Sequence, residues 1–385
     1  MVGEIKMKIA IAGGGTGGHI FPGIAVAREL QKEIGDVSVL FIGTSEGIEA
    51  TVIPREGFEI KFIRSEGLVG RSVFESTRSV VKLPLSVNDS WRILKQFNPD
   101  VVLGVGGYCS GPVLFSAFLM KKPTIIHEQN TVPGLTNKML GKLVNLVAVT
   151  YYESLHFFPK NKTFLTGNPV REEILEGDRK RGYRIFGLDE GLFTIFVFGG
   201  SSGAHKINKA LSESLVYLKD FRDHVQFLHQ TGEKDFDFVR EFYHAQGFRG
   251  TVIPFTHDMG DAYAVADLVI SRAGATTLAE LTACGKPAIL IPYPFAAGDH
   301  QRANAEKLWD LGAAQMILDH ELNGMSLSQM IKQIFEHPDI MAEMEKVSKT
   351  IGKSDAGKRI VELIMRLGKA KGLSGQGARS STNRA

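Results

Sequence analysis

Two glycine-rich stretches carry the first chemistry legible in this chain: Gly13-Gly14-Gly15-Thr16-Gly17-Gly18 and Gly199-Gly200-Ser201-Ser202-Gly203. Each follows a short apolar run and precedes a helical pattern. Such a turn exposes backbone N–H groups at the positive end of a helix dipole, where a phosphate can sit. Glycine lets the backbone approach the anion without a Cβ. The plainer alternative for either loop is a tight turn that only closes a strand–helix corner. A third stretch, Ser271-Arg272-Ala273-Gly274-Ala275-Thr276-Thr277, leads into a helix that carries Glu280. A carboxylate there suits two vicinal ribose hydroxyls; a capping or solvated glutamate is the alternative. A fourth, Pro292-Tyr293-Pro294-Phe295 followed by Asp299-His300-Gln301-Arg302-Ala303-Asn304, is a proline-fixed loop that opens another helix.

The elements that must hold these loops read as short apolar strands alternating with amphipathic helices, the pattern of βαβ units on parallel sheets. One strand series is Lys8–Ala12, Val37–Ile42, Glu59–Ile63, Asp100–Val105, Pro123–His127 and Leu146–Thr150. The segment Lys162–Pro169 ends in the turn-like Gly167-Asn168-Pro169, read as a domain boundary. The second series is Thr194–Phe198, Val225–His229, Thr251–Pro254, Leu268–Ser271, Ala288–Ile291 and Gln315–Leu318. Each series opens into its own glycine loop. The expectation is two Rossmann-like α/β domains, 1–168 and 169–353, with a helix near 354–370 returning to the first and a disordered basic tail over 371–385. The first loop also satisfies G-x-G-x-x-G, the dehydrogenase fingerprint. Against that reading, the second strand ends Phe41-Ile42-Gly43-Thr44, with no acidic residue to hold a ribose. The chain also repeats the loop-bearing unit instead of adding an unrelated catalytic domain.

Composition narrows the class. Charged residues at 23% and hydrophobic ones at 43% fit a globular protein, and two cysteines exclude a disulfide framework or a multi-cysteine zinc site. The apolar stretch Pro112–Met120 falls far short of the ~20 residues needed to span a bilayer. The N-terminal run lacks the features of a signal peptide, so a soluble cytoplasmic protein is expected. Net charge is only +3, and with no recognised nucleic-acid motif a nucleic-acid partner is not expected. Residues 61–95 hold 7 Lys/Arg against 3 Asp/Glu. There Leu68, Val69, Val73, Phe74, Val80, Val81, Leu83, Leu85, Trp91 and Leu94 interleave with Arg71, Arg78, Lys82, Arg92 and Lys95, a mix suited to an anionic lipid surface or to ordinary core. The one Asp-x-Asp, Asp235–Asp237, reads as a solvated helix start and not as a metal site.

Taken in order, seven stretches resemble glycosyltransferases of the GT-B fold, two Rossmann-like domains whose parallel sheets face across a cleft. Among them the match is to the bacterial enzymes that add N-acetylglucosamine (GlcNAc) to lipid I to make lipid II. The stretches are Ala12–Ala25 (AGGGTGGHIFPGIA), Gly104–Pro112 (GVGGYCSGP), His127–Asn130 (HEQN), Gly167–Arg171 (GNPVR), Gly199–Ala204 (GGSSGA), Ser271–Glu280 (SRAGATTLAE) and Asp299–Asn304 (DHQRAN).

The resemblance implies UDP-GlcNAc as donor, held mainly by the second domain. Glu280 matches the residue that holds the ribose, and Ala275, Thr276, Thr277, Leu278, Ala279 and Glu280 line the nucleotide-sugar. Ser201 matches the diphosphate contact, Thr256 the backbone that reads the uracil edge, and Gln301 the glutamine on the sugar. From the first domain Thr16, Gly17, Gly18, Asn130 and Arg171 match positions that close over the donor. The 4-hydroxyl of the muramic acid then attacks the anomeric carbon opposite UDP, inverting it, and a base takes its proton. His19, at a helix N-terminus that disfavours imidazolium, is one candidate and Glu128 the other. N–H groups at Ser201–Gly203 with Arg171 would meet the leaving charge, so neither metal nor cofactor is implied. The partners implied are UDP-GlcNAc, lipid I and the anionic inner leaflet, with peripheral placement on the cytoplasmic face and contacts with cell-wall synthesis proteins left open. Left open too are a different acceptor, a UDP-GlcNAc epimerase and a non-catalytic nucleotide-sugar binder.

Overall fold

The computed structural model describes residues 7–65 and 73–379. The chain divides into two units, Met1–Pro169 with Asp355–Ala385, and Val170–Ser354.

The first unit is built on seven strands: β1 (Met7–Ala12), β2 (Val37–Gly43), β3 (Glu59–Phe62), β4 (Val101–Gly104), β5 (Thr124–Glu128), β6 (Leu146–Val149) and β7 (Thr163–Leu165). They run parallel in the order β3-β2-β1-β4-β5-β6-β7. The central strands are buried on both faces, which is why they read as near-continuous apolar runs. Ile9, Ile11, Val101, Leu103 and Ile125 face the helix Gly17–Ile34 through Ile20, Ile24 and Leu30. The last helix, Ala356–Arg379, brings Ile360, Val361 and Ile364 into this same layer. On the other face Ala10 and Ala12 leave room for Val113, Leu114 and Ala117 of the helix Ser110–Leu119.

The second unit carries β8 (Phe193–Phe198), β9 (Val225–Gln230), β10 (Arg249–Ile253), β11 (Leu268–Ser271), β12 (Ala288–Leu290) and β13 (Gln315–Met316). They are again parallel, in the order β10-β9-β8-β11-β12-β13. Phe196 and Phe198 stack with centroids 4.8 Å apart, and Tyr263 meets both edge-on.

In each unit the strand order reverses beside the first strand, between β1 and β4 and between β8 and β11. Ligands of open α/β sheets bind outside the carboxyl ends of the strands at that switch point. The topology therefore sets Gly13–Gly18 beside the loop after β4, and Gly199–Gly203 beside Ser271–Glu280.

Two expectations need amendment. The segment 162–169, assigned no strand from sequence, contributes β7 ahead of the turn at Gly167-Asn168-Pro169, a three-residue edge strand too short to show a period in sequence. The last helix continues through Arg379, into the Gly/Ser-rich segment expected to be disordered; residues 380–385 lie outside the described residues.

Candidate active site

In the first unit, Thr16 takes the N-cap position of the helix Gly17–Ile34 in extended conformation, and His19 sits in its first turn. His19 Nδ1 lies 3.2 Å from both the Gly14 carbonyl oxygen and Thr16 Oγ1. A carbonyl can only accept, so Nδ1 carries the proton, and in the neutral ring the lone pair is then on Nε2. The loop after β4 closes over the imidazole. Gly106 has φ +95° and a Cβ there would run into the His19 ring, while a Cβ at Gly107 (φ +80°) would strike the Gly14 carbonyl. Ser110 Oγ lies 2.8 Å from Ala12 O and 2.7 Å from Gly106 O and shares its one proton between these acceptors, tying the two loops together.

Under the first glycine loop lies a carboxylate absent from the sequence reading. Glu49, fully buried, accepts from Gly15 N–H (2.9 Å), Thr44 N–H (3.0 Å) and Thr44 Oγ (2.7 Å). The search for an acidic residue at the end of β2 stopped at Gly43-Thr44; the acid stands a turn later and folds back beneath the loop. It takes up the Gly15 N–H of the protein's own loop.

Glu128 is held differently. Its Oε1 accepts from Asn130 N (3.0 Å) and Asn130 Nδ2 (3.2 Å), and its Oε2 from Asn137 Nδ2 (2.9 Å) and Gly134 N (3.2 Å). Burial pushes the carboxyl up, and these donors hold back the rise. The geometry is that of a carboxylate organising residues 129–134, Asn130 included. Its neighbour His127 is buried, with Nε2 3.0 Å from Gly167 O, and desolvation lowers its pKa to about 4, so it is neutral.

In the second unit, Gly200 (φ +107°) and Gly203 (φ +75°) turn the glycine loop, and Ala204 caps the helix His205–Ser214. The Gly203 N–H donates to Gly200 O within the turn (3.1 Å), so it is spent there and only Ser201 and Ser202 remain of the expected Ser201–Gly203 anion site. Gln230, at the end of β9, spans two loops: its Nε2 donates to Gly200 O (3.1 Å) and its Oε1 accepts from Thr256 N (3.0 Å). The Thr256 N–H is thus spent on Gln230.

The helix Ala275–Cys284 starts at Gly274, and it buries Ala275, Thr276, Leu278 and Glu280 while Thr277 and Ala279 are half-buried. Leu278 packs into the core. Glu280 Oε2 accepts from Tyr263 OH (2.9 Å), and Oε1 faces Arg171 Nη2 at 3.7 Å. Burial raises the Glu280 carboxyl above its usual range, against the pull of Arg171 and Tyr263. Arg171 thus belongs to the second unit, paired with Glu280, and not to the first-domain set in which the resemblance placed it. Its position two residues past the boundary proline made the two assignments indistinguishable in sequence. Gln301 Oε1 accepts from Tyr293 N (3.0 Å), which anchors the exposed loop after β12.

Asp235, read as solvated, instead accepts from His205 Nδ1 (2.9 Å) and Asn208 Nδ2 (2.8 Å). Among the described residues no three metal-type side chains cluster.

Family models match both units: the Glycosyltransferase family 28 N-terminal domain over residues 9–149 and the Glycosyltransferase family 28 C-terminal domain over 194–360. The chain is 52% identical over 357 residues, 93% of it and 98% of the relative, to a protein of Thermodesulfovibrio yellowstonii. That relative is named UDP-N-acetylglucosamine--N-acetylmuramyl-(pentapeptide) pyrophosphoryl-undecaprenol N-acetylglucosamine transferase. The chain belongs to glycosyltransferase family 28.

Within family 28, a solved structure of MurG from Acinetobacter baumannii matches with a TM-score of 0.74 and 29% identity, covering 94% of this chain and 99% of that one. A UDP-GlcNAc 2-epimerase from Neisseria meningitidis matches with a TM-score of 0.68 at 15% identity, over 94% and 100%, and shares the fold alone. The family-28 chain accordingly has the two-domain α/β GT-B fold expected from sequence. The structure gathers Thr16, Gly17, Gly18 and His19 at the switch point of the first unit. It gathers Ser201, Thr276, Thr277 and Glu280 at that of the second. Glu49, Gln230 and Tyr263 were missed because each acts from a strand end or a helix that only the fold brings near.

Proposed function

We propose that this protein is an inverting glycosyltransferase that moves GlcNAc from UDP-GlcNAc to the 4-hydroxyl of the muramic acid of lipid I (undecaprenyl-pyrophosphoryl-MurNAc-pentapeptide), giving lipid II and UDP. The observation that carries the reading is the 52% identity, over 93% of the chain, to a relative named for that transfer. The geometry supports a route. The acceptor oxygen forms a bond to the anomeric carbon as the bond to UDP breaks and the electron pair leaves with the diphosphate. The hydroxyl proton passes to Nε2 of His19, the nitrogen left with the lone pair. Leaving-group charge is met by the N–H groups of Ser201 and Ser202 ahead of the helix His205–Ser214. Glu280 accepts from the ribose hydroxyls and Gln301 donates to the sugar.

The experiment is UDP release in EDTA from purified protein given UDP-GlcNAc, with and without a soluble lipid I analogue. Release that requires the analogue and yields a GlcNAc-extended product is expected. Donor binding without product would sink the acceptor assignment.

The lipid acceptor calls for peripheral attachment at the cytoplasmic face of the membrane, and the first unit supports it. No helix among the described residues is long and apolar enough to cross a membrane. The helix Leu135–Leu143 exposes Leu135, Met139 and Leu143 at i, i+4 and i+8, one continuous stripe, with Lys138 and Lys142 beside it. The adjoining helix Ser110–Leu119 exposes Phe115, Phe118 and Leu119, followed by Lys121 and Lys122. Of the residues read from sequence as the lipid face, Leu83, Leu85 and Trp91 are exposed, whereas Leu94 is core. Leu68, Val69 and Arg71 lie outside the described residues. Changing Leu135 and Met139 together to serine is expected to weaken binding to anionic vesicles by about tenfold or more. UDP release with a soluble acceptor analogue should stay at the wild-type rate; vesicle co-sedimentation checks the first and the coupled assay the second.

A further inference from the structure

Glu49 and His19 grip opposite sides of one peptide group. The Gly14–Gly15 peptide donates its N–H to Glu49 Oε2 at 2.9 Å, and its carbonyl lies 3.2 Å from His19 Nδ1. In a trans peptide the N–H and C=O point in opposite directions, so fixing one fixes the other. A carboxylate on the N–H also polarises the carbonyl, which strengthens its hold on an imidazole N–H. The chain gives up side chains to make room for this acid. A Cβ at Gly14, Gly43 or Gly47 would collide with the Glu49 side chain. Thr44 supplies two further donors, and Tyr108 OH donates in turn to Thr44 Oγ1 at 3.3 Å.

We propose that Glu49 is a positioning residue for the transfer reaction, acting on His19 through the Gly14–Gly15 peptide so that the imidazole keeps Nδ1 protonated and Nε2 ready to take the acceptor's proton. It touches no substrate. The arrangement does what a carboxylate bonded directly to a catalytic histidine does, setting tautomer and ring orientation, with one peptide plane interposed. This inference rests on His19 as the base.

The test is a double-mutant cycle on the full chain with UDP-GlcNAc and a soluble lipid I analogue. Glu49→Gln keeps the volume and loses the charge, and places an amide N–H against the N–H of Gly15 or Thr44. Expected is a fall in kcat of about 10- to 100-fold with the KM for UDP-GlcNAc within about twofold. In a His19→Ala background the same change should cost nothing further, because the two residues act as one unit. Nitrogen-15 spectra of the His19 ring should show the Nδ1–H tautomer in the wild type and a mixture in Glu49→Gln. Glu49→Asp, which keeps the carboxylate, should recover part of kcat. An undiminished kcat, a loss that persists in full without His19, or an unchanged tautomer would each overturn the proposal while leaving His19 as base. If instead His19→Ala alone transfers at the wild-type rate, the underlying reading fails first. Should Glu49→Gln not fold, Thr44→Val removes one of the three donors and is read the same way. A loss in kcat of about threefold that vanishes in the His19→Ala background supports the proposal, and no loss overturns it.

Discussion

Replacing His19 with alanine is expected to lower kcat by about 10²- to 10⁴-fold, the span of a lost general base, while KM for UDP-GlcNAc moves by less than about threefold. The split follows from where the groups lie. The residues proposed to hold the donor, Ser201, Thr256, Glu280 and Gln301, all belong to the second unit, whereas His19 stands in the first. Its contribution is made only when the acceptor hydroxyl is losing its proton, so truncation removes transition-state stabilisation and leaves ground-state donor binding alone. Gly106→Ala gives an independent check with His19 intact. Its Cβ would displace the imidazole, and its φ of +95° disfavours any L side chain, so the same kinetic signature is expected. Steady-state kinetics with a soluble acceptor, alongside calorimetric binding of UDP-GlcNAc, measures both. A kcat within about tenfold of wild type would point away from His19. Glu128 would then be the next to examine, although its four N–H donors already commit both oxygens to the loop that follows β5.

What sequence alone could reach depended on whether a residue's partners were local. The alternation Ile9, Ala10, Ile11, Ala12 ahead of three glycines is a local pattern, so β1, its loop and the following helix were legible, as was the same unit from Thr194 to Ala204. Glu280 announced itself because a helix start after Gly274 is also local. Glu49 did not. Its meaning depends on Gly14, Gly43 and Gly47 each leaving space for it, and on an N–H contributed 34 residues away. Arg171 sits two residues past the boundary proline, and only packing shows that it turns toward Glu280. The apolar stripe Leu135, Met139 and Leu143 has a helical period, which fits a buried face as well as an exposed one. Its exposure is decided by the neighbouring helix Ser110–Leu119, which covers a different face. Leu94 illustrates the converse, an apolar residue among lysines and arginines that the sheet takes into its core.

Changing Glu280 to glutamine is expected to weaken donor use by about 10- to 150-fold in kcat/KM, which corresponds to the 1.5–3 kcal/mol of hydrogen bonds to a charged group. A carboxylate can accept from both vicinal ribose hydroxyls, whereas an amide offers one acceptor and sets an N–H against the second hydroxyl. The site also has an electrostatic reason to be a carboxylate: Arg171 is largely buried 3.7 Å from it, and removing the charge of Glu280 leaves that guanidinium with the more exposed Glu173, 2.8 Å from Nη1, as counter-charge. The change should therefore appear mainly in KM and in the affinity for UDP, with kcat at saturating donor less affected, the reverse of the His19 result. The pH dependence follows from the same surroundings. Burial raises the Glu280 carboxyl, so on acidification it takes up a proton at a higher pH than an ordinary glutamate. Protonation removes acceptor capacity, so UDP affinity should fall as pH drops through that range in the wild type and stay flat in Glu280→Gln. Tyr263→Phe removes only the hydroxyl that donates to Glu280 Oε2 at 2.9 Å, and it should begin the decline at still higher pH, because one hydrogen bond that favours the ionised form is gone. Titration calorimetry of UDP across pH 5 to 8 measures all three proteins; parallel curves for wild type and Glu280→Gln would remove Glu280 from the ribose.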